Sequence, residues 1–63
     1  MCESNAYMKK NADEELLMAD VSKLTALPEG KVRLETILGD EKVVDGSVAE
    51  VDFESHRILI RDD

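Results

Sequence analysis

The chemistry available to this chain centres on its single cysteine, Cys2, which follows the initiator methionine. Removal of Met1, which a small second residue normally permits, would leave the α-amine and thiolate of Cys2 free to close a five-membered chelate ring on a metal. The next backbone amide could add a donor after losing its proton, which Ni(II) and Cu(II) promote in square-planar N,S sites. If Met1 is retained, the thiolate and neighbouring amides remain available but the amine does not. A lone cysteine is otherwise most often a small buried hydrophobe, but chain ends tend to be exposed.

One thiol cannot complete a metal site, since zinc, for example, takes about four N, S or O ligands. The missing ligands must come from the backbone, from His56, from carboxylates or from a second copy of the chain. His56 is the only histidine, but it lies in a predicted turn far along the sequence from Cys2. We therefore interpret it as an exposed hairpin residue, although imidazole is a common metal ligand. The clusters Asp13-Glu14-Glu15 and Asp62-Asp63 lack the spacing of a calcium loop and are interpreted as solvated charge.

The same residue types do not indicate catalysis. Cys2, His56 and Ser4 could assemble a nucleophilic site, because such groups need only be close in space. However, a chain of 63 residues leaves little volume for an enclosed substrate pocket, which typically measures about 300–1,000 Å³. The sequence also contains no Gly-rich phosphate loop and no paired-histidine motif. We expect a protein that is not an enzyme.

Size and charge restrict the partners. A single domain over residues 1–63 is expected, and a chain this short buries only about 60% of its unfolded surface. Without a disulfide pair, oligomerisation is the common way to bury more apolar surface, so a homodimer is expected. The formal charge of −7 disfavours nucleic acid and anionic membranes as partners. One unpaired cysteine and no long apolar segment favour the cytoplasm.

Turn signals spaced about eight to twelve residues apart are typical of a small all-β domain. We expect a small antiparallel β-barrel-like domain of about six to seven short strands, the first running from Glu3 to Lys9. A hairpin over residues 53–58 would hold Ser55 and His56 at its tip. The alternation places three sets of residues on the inward faces of strands: Val32, Leu34 and Thr36; Ala49, Val51 and Phe53; and Ile58 and Ile60.

Residues 13–27 fit two patterns. A helical spacing relates Leu17, Val21 and Leu24. The same segment also fits two short strands separated by a break at Asp20. Because β patterns lie on both sides of it, strand-turn-strand is favoured.

Four segments share the pattern of a known family. They are Met1-Cys2-Glu3-Ser4-Asn5-Ala6-Tyr7, residues 14–21, Gly30-Lys31-Val32-Arg33-Leu34 and residues 51–60. The most specific is the Met-Cys-x-Ser-x-Ala-Tyr start. Through them the chain resembles, over essentially its whole length, the CooT family of small nickel-binding proteins.

The resemblance implies a compact β-barrel-like homodimer that binds nickel through Cys2. We add the backbone amide of Glu3 as a further ligand because this residue is adjacent to Cys2. Members are associated with nickel supply to carbon monoxide dehydrogenase in some anaerobes. Some members are also labelled RNA-binding, which the charge of −7 does not support.

Two Cys2 thiolates at a dimer two-fold, each with an amide nitrogen, would form an S2N2 set. This set suits square-planar Ni(II), with Cu(II) and, in a tetrahedral version, Zn(II) as competitors. The sequence therefore predicts a small dimeric nickel-binding protein for nickel storage, delivery or sensing, with a nickel enzyme as recipient. The alternative is a dimeric β-barrel interaction or regulatory module, RNA-binding or not, without a physiological metal.

Overall fold

A computed structural model describes residues 3–62 of the chain. These residues form six β-strands and no helix, which confirms the all-β prediction. The strands are β1 (Ser4–Lys10), β2 (Asp13–Leu27), β3 (Lys31–Thr36), β4 (Glu41–Asp45), β5 (Ser47–Asp52) and β6 (Arg57–Arg61).

The six strands form one sheet in the order β4-β3-β2-β1-β6-β5. Four of the five strand pairs are antiparallel, but β1 and β6 run parallel, with Asn5 opposite Arg57 and Lys9 opposite Arg61. The sheet is open and does not close into a barrel. It nevertheless curls, since β3 contacts β5 although the two strands are not neighbours in the sheet. The prediction of an antiparallel β-barrel-like domain is therefore corrected in two respects: one strand pair is parallel, and the sheet is open.

Alternating apolar residues place the core on the concave face of the sheet. The predicted inward positions Val32, Leu34, Ile58 and Ile60 are all buried, which confirms the alternation in β3 and β6. The buried apolar side chains of the described residues are Ala6, Met8, Val21, Val32, Leu34, Ile58 and Ile60. The core is small, and it consists entirely of aliphatic and methionine side chains.

β2 is a single strand of 15 residues rather than a strand-turn-strand unit or a helix. Its first part pairs with β1 and its second part pairs with β3. Asp20 adopts a left-handed φ of 58°, and the pairing with β1 shifts register near this residue, between Ser4 and Ala6. Bulges of this kind bend a strand without ending it. Asp20 was expected to separate two strands. It instead lies at a bend within one strand, which pairs mainly with β1 before the bend and with β3 after it.

β5 differs from the predicted pattern in its register. Its pairing with β6 shifts between Val48 and Glu50, which leaves Ala49 as an inserted residue. Val48 and Val51, rather than Ala49 and Val51, therefore lie opposite the core residues of β6. Phe53, predicted to face inward, lies in the following turn and is 83% exposed.

The edge strands β4 and β5 are joined by one residue, Gly46. Its N–H donates a hydrogen bond to the carbonyl of Gly30 at 2.7 Å, and its φ of 141° lies in a region that L side chains rarely adopt. A β-carbon here would lie 2.6 Å from the carbonyl oxygen of Arg61. Glycine at this position allows the chain to pass from one edge of the sheet to the other.

Candidate functional site

Cys2, the predicted metal ligand, lies outside the described residues, and Glu3 is the first residue that the structure describes. Glu3 is half-buried and contributes to the wall of an open groove of about 340 Å³. The groove is lined by Glu3, Ala19, Asp20, Thr36, Ile37, Leu38 and Asp40. The amide predicted as a further nickel ligand therefore belongs to a residue that borders this groove.

Asn5 joins three parts of the chain beside the start of β1. Its backbone N–H donates to the carbonyl of His56 at 2.9 Å, and its side-chain oxygen Oδ1 accepts from the backbone N–H of Asp20 at 3.2 Å. These bonds connect β1 to the turn before β6 and to the bend in β2. The backbone that follows Cys2 is thus held from two sides.

His56 is exposed in the turn between β5 and β6, as predicted. Its φ of 56° is left-handed, a conformation that non-glycine residues adopt at some cost. The parallel pairing of β1 with β6 brings its backbone next to Asn5, although the two residues are distant in sequence. The alternating pattern of residues 57–61 gives no information about the strand with which they pair, so sequence reasoning missed this proximity.

The turn that carries His56 is fixed by Asp52. The carboxylate oxygen Oδ1 of Asp52 accepts from the backbone N–H of Glu54 at 3.0 Å and from that of Ser55 at 3.2 Å. Hydrogen bonds from the backbone and side chain of Ser55, then from the Glu54 amide, lower the pKa of Asp52, and the charge of Arg57 adds to this effect. Asp52 therefore holds the turn best in its ionised form.

Arg57 lies on the convex face of the sheet and joins two strands that flank β1. Its guanidinium forms an ion pair with Glu14 of β2 and lies 4.7 Å from the ring centroid of Tyr7. The hydrogen bond and charge of Glu14 raise the pKa of Arg57. A cation over an aromatic face is a favourable contact, and all three groups are partly exposed.

Two carboxylates of the first acidic cluster form surface ion pairs and are not simply solvated charge. Glu14 pairs with Arg57, and Glu15 pairs with Lys10 at 3.4 Å. Asp62 borders a second open groove, of about 350 Å³, and Asp63 lies outside the described residues. Among residues 3–62, no three His, Asp or Glu side chains form a group that could hold a metal ion.

The similarity of the chain to known proteins covers nearly its full length. The family model described as CO dehydrogenase accessory protein CooT matches residues 1–61. The chain belongs to the CooT family. This confirms the resemblance seen in the sequence.

A solved structure of a candidate CooT from Carboxydothermus hydrogenoformans has the same fold as this CooT chain. The two share 34% identity with a TM-score of 0.89, and the match covers 98% of each chain. An uncharacterized protein of Methanothermobacter thermautotrophicus is 38% identical over 60 residues, which is 95% of this chain and 88% of that protein. Both matches cover nearly the whole chain.

Membership of the CooT family assigns the chain to proteins described as accessory to CO dehydrogenase. Among the residues that the structure describes, no helix is long and apolar enough to cross a membrane.

Proposed function

We propose that this CooT protein is a dimeric nickel-binding accessory protein, not an enzyme, that stores, delivers or senses Ni(II) in the cytoplasm. The single observation that carries the proposal is family membership over residues 1–61, which include the Met-Cys start. Nickel is cargo in this proposal, and a nickel-containing CO dehydrogenase is its recipient. The family description names CO dehydrogenase as the enzyme that is assisted.

The donor set supports the amino terminus as the place of binding. Cys2 is the only thiol of the chain, and residues 3–62 contain no competing cluster of side-chain ligands. Thiolate and deprotonated amide nitrogens form the N,S set that Ni(II) accepts in a square plane. Cys2 and the amide of Glu3 are therefore the proposed ligands, with Cu(II) and Zn(II) as competitors.

The small core supports a homodimer in which each chain supplies one Cys2 thiolate at the two-fold. The seven buried apolar side chains of the described residues form a limited core, and association is the usual way for such a chain to bury more apolar surface. Two chains would also pool the ligands that one thiol cannot provide. We expect the dimer at micromolar protein concentration, and sedimentation should detect it with and without nickel. A stable folded monomer in both conditions would contradict this arrangement.

Native mass spectrometry with and without Ni(II) tests the proposal most directly. It reports the presence of Met1, the oligomeric state and the number of metal ions in one measurement. The wild type should gain nickel, whereas Cys2→Ser should not. If both proteins gain nickel equally, Cys2 is not the ligand.

The alternative function, an interaction module without a physiological metal, is favoured by one observation. Ile37 and Leu38 are large apolar side chains exposed at a loop tip. Retention of partner binding by Cys2→Ser, with no effect of Ni(II) on the wild type, would favour this alternative. RNA binding would instead require affinity that falls steeply with salt, because phosphate contacts release counterions.

A further inference from the structure

We propose that the loop from Thr36 to Asp40, together with the groove beside it, docks a polypeptide segment that presents an apolar side chain between lysine or arginine residues. In the context of the proposed function this segment belongs to the nickel recipient. The inference rests on the proposed function only for the identity of that protein. All the residues of the docking surface lie within residues 3–62, which the structure describes.

The loop tip presents two large apolar side chains to solvent. Ile37 is 66% exposed and Leu38 is 89% exposed. Turns usually carry Gly, Pro, Asn, Asp or Ser at such positions. Two adjacent aliphatic side chains at a tip therefore form an unusual local apolar surface. Exposed apolar surface with a polar rim is typical of interaction sites.

The exposure of the tip is fixed by hydrogen bonds within the loop. The N–H of Thr36 donates to the carbonyl of Asp40 at 2.9 Å, and the N–H of Gly39 donates to the carbonyl of Thr36 at 3.1 Å. The Thr36 hydroxyl oxygen accepts from the N–H of Asp40 at 3.1 Å. A preorganised loop loses less conformational entropy when it binds a partner.

The charges around the groove identify the chemistry of the occupant. Three of its lining residues, Glu3, Asp20 and Asp40, are acidic, and no lysine or arginine is among them. The whole chain carries a formal charge of −7. Cationic side chains on both sides of an apolar anchor would complement this arrangement, and electrostatic complementarity also speeds association.

A second copy of the chain is a poorer occupant. Self-association through this surface would bring the acidic residues Glu3, Asp20 and Asp40 of the two chains together. Like charges across an interface are unfavourable. The tip is therefore assigned to a basic partner rather than to the dimer contact.

The second groove provides an internal control. It is similar in size, about 350 Å³, and also acidic, with Glu29, Asp45 and Asp62 in its lining, but it has no large apolar side chain. A ligand that is attracted by charge alone should occupy both grooves. A ligand that needs the apolar tip should occupy only the first.

The experiment is a titration of isotope-labelled full-length protein, followed by amide NMR shifts. The probe is a blocked pentapeptide with a central leucine between two pairs of lysines. Its controls carry a central glycine, or glutamates in place of the lysines. We expect saturable shifts at Glu3, Ala19 and Asp20 and in the loop, with the leucine-lysine peptide only. Equal shifts around both grooves, or equal binding of the glycine peptide, would overturn the proposal.

Substitutions at exposed apolar positions test the anchor. Leu38→Ser should weaken peptide binding at least about tenfold, since it removes one apolar side chain from the contact. Val43→Ser, at a 50% exposed position of edge strand β4, should leave it unchanged. Both side chains are largely exposed, so both variants should fold. If Leu38→Ser instead abolishes the dimer, the tip is covered by a second copy and the proposal is wrong.

Two readouts separate this inference from the proposed function. Cys2→Ser should lose nickel but keep peptide binding, whereas Leu38→Ser should keep nickel but lose peptide binding. Loss of both properties in Leu38→Ser would contradict the role of Leu38 as a docking anchor alone, since the groove shares Glu3 with the proposed metal site. If the wild type binds nickel but neither it nor any variant binds the peptide, the docking surface is overturned and the proposed function is not.

Discussion

At the scale of single residues, Asp52 makes the stability of the β5–β6 turn depend on pH. The pKa of Asp52 is lowered in the folded protein, so its stabilising contribution is complete above the ordinary aspartate pKa of about 3.9 and is lost as the pH falls through the lower folded value. Asp52→Asn should remove this acid-dependent loss. Amide shifts of residues 53–56 between about pH 2 and 6 measure it. Asp62→Asn, outside the turn, is the matched control and should titrate like the wild type in these signals.

The ligand prediction belongs to the same scale. Ni(II) bound by a thiolate should show a charge-transfer absorption, which Cys2→Ser should abolish. His56→Ala should leave the band largely intact, since the proposed donors are thiolate and amide nitrogens. The bond between His56 and Asn5 involves backbone atoms only, so the substitution preserves it. A band that survives Cys2→Ser but not His56→Ala would identify the histidine as the ligand.

At the scale of secondary structure, Gly46 sets the path between the two edge strands. Gly46→Ala would place a β-carbon 2.6 Å from the Arg61 carbonyl oxygen and 2.9 Å from the side chain of Ile60. We expect a loss of about 1–3 kcal/mol in the free energy of unfolding, which is typical of overpacking. Gly30→Ala is the matched control, because its φ is also positive, at 70°, but no atom lies within 4 Å of its added carbon. Urea denaturation of both variants measures the difference, and equal losses would show that backbone strain alone matters.

The elements also show which parts of the fold follow from local sequence. β3 was predictable because Val32 and Leu34 alternate with charged residues and face the core. The unbroken course of β2 was not, because Asp20 is a typical strand breaker. Only the pairing of the segments before and after it, first with β1 and then with β3, keeps the strand continuous. The parallel pairing of β1 with β6 was also hidden, since alternation specifies a face and not a neighbour.

The candidate site was predictable to a lesser degree. Cys2 was identified from its residue type and position, and family membership supports this choice. The groove beside Glu3 was not predicted, because it depends on the bend at Asp20 and on the loop after β3. In the sequence alone, nothing distinguishes Ile37 and Leu38 from other apolar residues. Only their exposure in the fold distinguishes them.

At the scale of the whole molecule, two opposing effects act on the association of this acidic chain with a second copy. A charge of −7 per chain opposes contact between copies, whereas burial of further apolar surface favours it. A nickel ion held by both chains does not relieve the repulsion by its charge, because the two thiol protons displaced on binding balance its charge of +2, but its bonds to both chains link them. Nickel should therefore strengthen the dimer as well as occupy it, since a ligand that binds only the assembled form stabilises that form.

Stoichiometry and pH together distinguish a shared site from independent ones. A site formed by two Cys2 thiolates should saturate at one Ni(II) per dimer, whereas independent amino-terminal chelates would take one per chain. Binding must displace thiol protons, and amide protons where amide nitrogens coordinate, so affinity should rise with pH. Because a thiol has a reference pKa of about 8.5, the rise should be clear between about pH 6 and 8.

Calorimetry in buffers of different ionisation enthalpy counts the released protons. Two nickel ions per dimer, bound without proton release, would exclude the shared thiolate site and indicate loose binding by carboxylates.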